Sequence, residues 1–163
     1  MNWELKNYRN PPGYRGRNIF WVVVWSLVDV TLFRCSPKVM YGFRNVLLRI
    51  FGANIGKSCK IRPRVRILFP WKLTLGDYSW IGDDVEIYNM DDVTIGTNTV
   101  ISQKSYICTG SHSVSDGTFG LKTRPIEIGD NVWLCTDVLV LPGTVIHSKT
   151  IVPARTIIER SST

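Results

Sequence analysis

Leu75-Gly76-Asp77-Tyr78-Ser79-Trp80-Ile81-Gly82-Asp83-Asp84-Val85-Glu86-Ile87 decides the fold. Leu75, Ile81 and Ile87 stand six apart, Gly follows the first two, and Ser79 and Val85 take the fourth place after each start. Working outward, Ile55, Ile61 and Ile67 precede this stretch in the same rhythm, and Ile95, Ile101 and Ile107 follow it. After a gap come Ile128, Leu134, Val140, Ile146, Val152 and Ile158. Self-similarity at a hexapeptide period is the signature of a parallel β-helix. Sandwich strands alternate with period two and do not hold a six-residue phase over so long a run. Each hexad is one short strand plus a corner, so three hexads close a coil of roughly eighteen residues, stacked at about 4.8 Å. The aliphatic position points into the prism, the small residue fits beside it, and Gly or Asn accepts the corner. No coil buries its inner face alone, so stability comes from neighbours.

The breaks in phase point to function. Ile67 to Leu75 and Ile87 to Ile95 are eight apart, so those coils carry two extra residues at a corner. Ile107 to Ile128 is twenty-one apart, so residues 109–125 must leave the helix as a projecting loop. Loops on a rigid scaffold are where chemistry concentrates. The chain therefore divides into an N-terminal helical cap, residues 1–54, and a β-helix over residues 55–163.

Charge is divided just as unevenly. Residues 1–66 hold thirteen Lys and Arg against Glu4 and Asp29, while the remainder holds seven bases against eleven acids. Trp3, Trp21 and Trp25 lie among those bases. No nucleic-acid motif accompanies them, which leaves an anionic membrane surface or a solvated face. Ile19–Val28 is apolar but falls short of the roughly twenty residues that span a membrane. Eighteen mostly polar residues precede it and no small-residue cleavage site follows, so it does not read as a signal peptide. The expectation is a helix packed on the open end of the β-helix. A second helix is expected to start at Ser36-Pro37 and stop at Gly52. Val39, Met40, Phe43, Val46, Leu47, Ile50 and Phe51 form its packing face, with Arg44 and Arg49 off that face.

Cys35, Cys59, Cys108 and Cys135 show no paired spacing and read as reduced thiols of a cytoplasmic protein. There are only two histidines, His112 on the projecting loop and His147 at a corner, too few for a three-histidine zinc site. No metal is expected. His112 is the candidate general base, because a neutral imidazole near pH 7 suits that role.

Asp77-Tyr78-Ser79-Trp80-Ile81-Gly82, Ile101-Ser102-Gln103 and Cys108-Thr109-Gly110-Ser111-His112 resemble the hexapeptide-repeat O-acetyltransferases, and among them the colanic acid biosynthesis acetyltransferases. The similarity also takes in Arg15-Gly16-Arg17, Leu48-Arg49-Ile50-Phe51-Gly52-Ala53 and Phe69-Pro70-Trp71, and so spans nearly the whole chain. The resemblance implies a left-handed coil, a homotrimer with sites between subunits, and acetyl transfer from acetyl-CoA to a sugar hydroxyl. His112 matches the family's catalytic histidine, and Asn89 matches an asparagine facing the acceptor pocket. Trp133, Cys135 and Thr136 match the stretch that carries the pantetheine arm, and Ala154 matches the next coil's contact with it. Ser113 stands where relatives often have Asp, which leaves Asp116, or no carboxylate at all, as the partner of His112.

Together these features lead to an acetyl-CoA-dependent O-acetyltransferase of exopolysaccharide or lipid-linked oligosaccharide synthesis, with no metal and no nucleic acid. The acceptor sugar is lipid- or nucleotide-linked. The enzyme is cytoplasmic, with peripheral contact at the inner face of the membrane through the basic cap. The rivals are an acetyltransferase for another small acceptor, such as an antibiotic or serine, and a non-catalytic trimeric scaffold.

Overall fold

The computed structural model describes residues 4–115 and 117–159. Helix α1 (Ile19–Val28) runs into a single wide turn at Asp29–Phe33 and is followed by α2 (Tyr41–Ile50). Then come the coils. The first is β1 (Asn54–Ile55), β2 (Lys60–Ile61) and β3 (Arg66–Ile67); the second is β4 (Leu73–Leu75), β5 (Trp80–Ile81) and β6 (Glu86–Tyr88). The third is β7 (Val93–Ile95), β8 (Val100–Ile101) and β9 (Tyr106–Cys108), after which β10 (Gly110–His112) and β11 (Leu121–Thr123) form an antiparallel hairpin. The fourth is β12 (Ile126–Ile128), β13 (Trp133–Leu134) and β14 (Leu139–Val140), and the fifth is β15 (Val145–Ile146), β16 (Ile151–Val152) and β17 (Ile157–Ile158). The strands make three five-stranded parallel sheets.

Register follows the hexads. Ile61, Ile81, Ile101, Leu134 and Val152 stack in the second sheet, and all are buried. The small positions form a second ladder beside them. Ser79 Oγ donates to the Gly96 carbonyl at 2.6 Å, and Thr99 Oγ1 donates to that of Gly129 at 2.7 Å.

Glycine serves a different purpose from the one expected at the corners. The left-handed conformation falls to Ser58, Tyr78, Asn98 and Asn131, two residues past each hexad Gly. Gly76 is needed for close approach, because a Cβ there would lie 2.6 Å from the Gly96 carbonyl carbon and from Thr97 N.

The first coil has no coil before it, so its outward carbonyls need other donors. The helical cap supplies them. Arg49 donates to the Ile55 and Gly56 carbonyls, Asn45 to Cys59, Arg44 to Ile61, and the Trp25 indole to Ile67. Arg44 is fully buried and also donates to Ser36 Oγ and to the Pro37 and Lys38 carbonyls. Burial holds its guanidinium below the usual arginine range.

Two expectations about α2 are corrected. It starts at Tyr41, because the Ser36 hydroxyl donates to the Phe33 carbonyl and accepts from Arg44 instead of capping a helix. Of the expected packing face Leu47 and Phe51 do meet the core, but polar residues share that side of the helix. Arg44, Asn45 and Leu48 are buried, while Val39, Val46 and Ile50 are exposed, since carbonyls at a coil end demand donors more than apolar contact.

Gly76→Ala is expected to lower stability by about 1–3 kcal/mol through overpacking, read by thermal or urea denaturation. Arg44→Met is expected to cost about 3 kcal/mol or more, because several buried acceptors lose their donors at once. Val39→Ser, on the exposed face, should change stability by less than about 0.5 kcal/mol.

Candidate functional site

The hairpin β10–β11 leaves the prism at the corner between the third sheet and the first, where the earlier coils carry their extra residues. Ser113 N donates to the Gly120 carbonyl at 2.8 Å and closes its neck. His112 stands exposed at the end of β10. Its Nδ1 lies 2.9 Å from the Phe119 carbonyl oxygen. A carbonyl only accepts, so in the neutral ring Nδ1 carries the proton and Nε2 keeps its lone pair. The Phe119 ring stacks on the imidazole at 4.2 Å and 8°, and Tyr8 lies 6.0 Å away on a tilted ring. Phe119 adopts φ +54°, a left-handed conformation that costs a non-glycine residue roughly 1 kcal/mol or more. The N-terminal segment braces this loop, with Glu4 N donating to the Gly117 carbonyl at 3.2 Å.

The partner of His112 is therefore a backbone carbonyl. Asp116, the carboxylate expected in that role, lies outside the described residues. Phe119 and Tyr8 were not legible as site residues. Phe119 is the one aromatic in residues 109–125, a faint signal, and nothing in the sequence places Tyr8 beside the loop.

Asn89 is buried at the corner one coil earlier. Its Oδ1 accepts from Phe69 N at 3.0 Å and its Nδ2 donates to the Phe69 carbonyl at 2.7 Å, so the amide is committed to the backbone of that corner. Nearby, burial raises the phenols of Tyr88 and Tyr106, so both stay neutral. Below the hairpin a cavity of about 320 Å³ is lined by Ser111, Lys122, Arg124, Leu141, Pro142 and Glu159.

The other group of expected residues lies elsewhere on the prism. Trp133 is half-exposed on β13 in the second sheet, between Val100 and Ile151, and its indole donates to Ser102 Oγ at 3.0 Å. Cys135 and Thr136 occupy the following corner, and Arg155 N donates to the Thr136 carbonyl at 3.0 Å, which stacks Ala154 over the same place. A recess of about 310 Å³ adjoins Trp133 below Ser102 and Gln103. One chain thus gathers Trp133, Cys135, Thr136 and Ala154, and separately holds His112 and Asn89 along a different edge. Among the described residues no three His, Cys, Asp or Glu side chains cluster to hold a metal ion. No helix among them is long and apolar enough to cross a membrane.

The chain is 50% identical over 158 residues to the colanic acid biosynthesis acetyltransferase WcaF of Escherichia coli (strain K12), covering 97% of this chain and 87% of that protein. The chain belongs to the colanic acid biosynthesis acetyltransferase family. No family model matches it. The lipopolysaccharide biosynthesis O-acetyl transferase WbbJ of the same organism is 30% identical over 93 residues, half of this chain and 47% of its own. Among solved structures, the hexapeptide-repeat acetyltransferase VCA0836 from Vibrio cholerae matches with a TM-score of 0.79 at 21% identity, over 86% of this chain and 80% of that one. A galactoside acetyltransferase in complex with coenzyme A matches with a TM-score of 0.77 at 22% identity, over 89% and 72%. The fold is the left-handed parallel β-helix of these acetyltransferases. As a family member the chain is an acetyltransferase, and structural neighbours carry acetyl-CoA or CoA.

The Nδ1–H tautomer of His112 is expected in ¹⁵N NMR spectra of the neutral enzyme. Phe119→Ala, which frees the ring to turn, should shift His112 toward the Nε2–H tautomer that predominates in free imidazole side chains. An unchanged tautomer ratio would show that the stacked ring is not what holds the imidazole.

Proposed function

We propose that this acetyltransferase moves an acetyl group from acetyl-CoA to a sugar hydroxyl in exopolysaccharide or lipid-linked oligosaccharide synthesis. The observation that carries this reading is His112, an exposed imidazole on the one projecting hairpin, with Nδ1 held by a carbonyl and Nε2 left basic. Family membership and the names of WcaF and WbbJ support a surface-polysaccharide acceptor.

In the proposed reaction, Nε2 takes the proton of the hydroxyl as its oxygen attacks the thioester carbonyl. The tetrahedral oxyanion is steadied by backbone N–H groups or bound water. It collapses by breaking the C–S bond, and the imidazolium returns its proton to the CoA thiolate. No acyl-enzyme forms, and none of the four cysteines lies on the projecting loop 109–125. Positioned base catalysis contributes roughly 10²–10⁴-fold, so holding the two substrates together accounts for most of the remainder. Asn89 serves the acceptor side through the corner it bonds, and Asp116 is the candidate for a second partner to His112. Lys122 and Arg124 would meet phosphate on a nucleotide- or lipid-linked sugar.

Trp133, Cys135, Thr136 and Ala154 form the proposed pantetheine track, with Trp133 as its apolar wall. His112 and this track sit on different edges of one prism, so a homotrimer, in which one subunit's hairpin faces the next subunit's track, is the assembly that completes the site. The enzyme acts in the cytoplasm, in peripheral contact with the inner face of the membrane where lipid-linked sugars are met.

His112→Ala is expected to lower kcat by roughly 10²–10⁴-fold with acetyl-CoA affinity and native mass unchanged, while His147→Ala is nearly silent. The assay is acetyl transfer to a panel of nucleotide- and lipid-linked sugars, and comparable activity in His112→Ala removes the base assignment. Trp133→Ala is expected to raise KM for acetyl-CoA more than KM for the acceptor, and the opposite pattern would place acetyl-CoA elsewhere. Mixed trimers of His112→Ala and Trp133→Ala chains, assayed at low acetyl-CoA, should recover activity that neither variant shows alone. Activity no greater than the sum of the two variants would mean that each site is built within one chain.

A further inference from the structure

The helical cap buries Trp25, Phe33, Leu48 and Phe51 but leaves a second apolar face outward. Arg44, Asn45 and Arg49 of α2 turn toward the first coil, so Val46 and Ile50 face away from the protein, 50% and 64% exposed. Phe20, Val23 and Leu27 of α1 are exposed by 66%, 51% and 60%. Their spacing of three and four residues aligns them along one side of the helix. Phe51 meets the rings of Trp21 at 5.9 Å and Trp25 at 5.0 Å, which sets the two helices side by side. Soluble monomers rarely leave so many large apolar side chains together in water.

The charges around this face choose its occupant. Much of the basic surplus of residues 1–66 is consumed by the fold: Arg62, Arg64 and Arg66 pair with Asp83, Asp84 and Glu86 of the second coil, and Arg44 is buried. What remains exposed and outside any ion pair next to these helices, among the described residues, includes Arg17 and Lys38. Arg17 lies just before α1, and Lys38 adjoins Val39, which is 82% exposed. The only carboxylates before Asp77, Glu4 and Asp29, are paired with Lys6 and Arg34. An apolar face rimmed by cations and free of unpaired acids matches the boundary between acyl chains and anionic headgroups.

We propose that the outer face of α1 and α2 lies in the interface of an anionic bilayer, with Phe20, Val23, Leu27, Val46 and Ile50 among the acyl chains and Arg17 and Lys38 at the phosphates. This gives the peripheral-membrane part of the functional reading a defined surface, and acetyl transfer to a water-soluble acceptor is independent of it. Of the tryptophans suggested by composition, Trp25 is buried and bonded to Ile67, Trp21 packs edge-on against Phe51, and Trp3 lies outside the described residues.

Full-length protein is sedimented with vesicles of phosphatidylcholine alone or mixed with phosphatidylglycerol, at low and high salt. Binding to the anionic vesicles, weakened by salt, is expected. Phe20→Glu with Leu27→Glu should lower the partition coefficient at least tenfold, with melting temperature and activity on a soluble acceptor unchanged. Arg17→Gln with Lys38→Gln should weaken binding to anionic vesicles and flatten its salt dependence. Three results would overturn the proposal: no binding of the native protein to anionic vesicles, equal binding of the Phe20→Glu/Leu27→Glu variant, or equal binding to neutral vesicles. A drop in native mass in that variant, with no vesicle binding by the native protein, would assign the face to a second copy of the chain.

Discussion

The open carbonyl edge of the first coil is the constraint on which the rest of the structure depends. A parallel β-helix satisfies its backbone by handing hydrogen bonds from coil to coil, and the first coil has no predecessor. Four side chains close that edge: Arg49 over Ile55, Asn45 over Cys59, Arg44 over Ile61 and Trp25 over Ile67. They reach it from two helices whose connection Arg44 also secures through Ser36, Pro37 and Lys38. A buried guanidinium without a carboxylate would be costly in most settings. Here a ring of carbonyl oxygens replaces the carboxylate and spreads the compensation over several bonds.

That solution decides which way the cap faces. Because donors share the inward side with Leu47 and Leu48, Val46 and Ile50 of α2 turn outward, and α1 adds Phe20, Val23 and Leu27. Separately, three arginines of the first coil pair with acids of the second, which neutralises part of the basic surplus. Counting charges along the sequence overstates the exposed patch, and counting apolar residues as core understates the exposed apolar face. The first error comes from ion pairing between neighbouring coils, the second from the hydrogen-bond demand of the coil end.

The site reflects the triangular cross-section. Every third hexad returns to the same sheet, so the corners that carry extra residues lie above one another, and the hairpin emerges where those insertions stack. Residues three hexads apart can be neighbours, as Thr136 and Ala154 are, while residues close in sequence sit on different edges. His112 is ordered by its own hairpin: a carbonyl sets its tautomer and an aromatic ring in a left-handed conformation sets its plane. The placement of the imidazole is thus local, whereas completing the site around it depends on what faces that edge.

By itself the sequence determined the coils, because the six-residue recurrence of aliphatic residues from Ile55 to Ile158 admits no other regular packing. It also determined where the helix is interrupted, since a phase break of twenty-one residues must be ejected, and His112 was legible because it lies in that break. Family resemblance named Asn89 and the Trp133–Thr136 stretch, but not what their side chains touch. Only the tertiary structure decided that Asn89 bonds the backbone of Phe69, that Phe119 and Tyr8 flank the imidazole, and that Gly76 is required for close approach and not for its φ. The physical reason is common to all three. Periodicity records which residues point inward within one coil, whereas these contacts run between coils, inside the ejected hairpin, or from a distant segment, and leave no period to read.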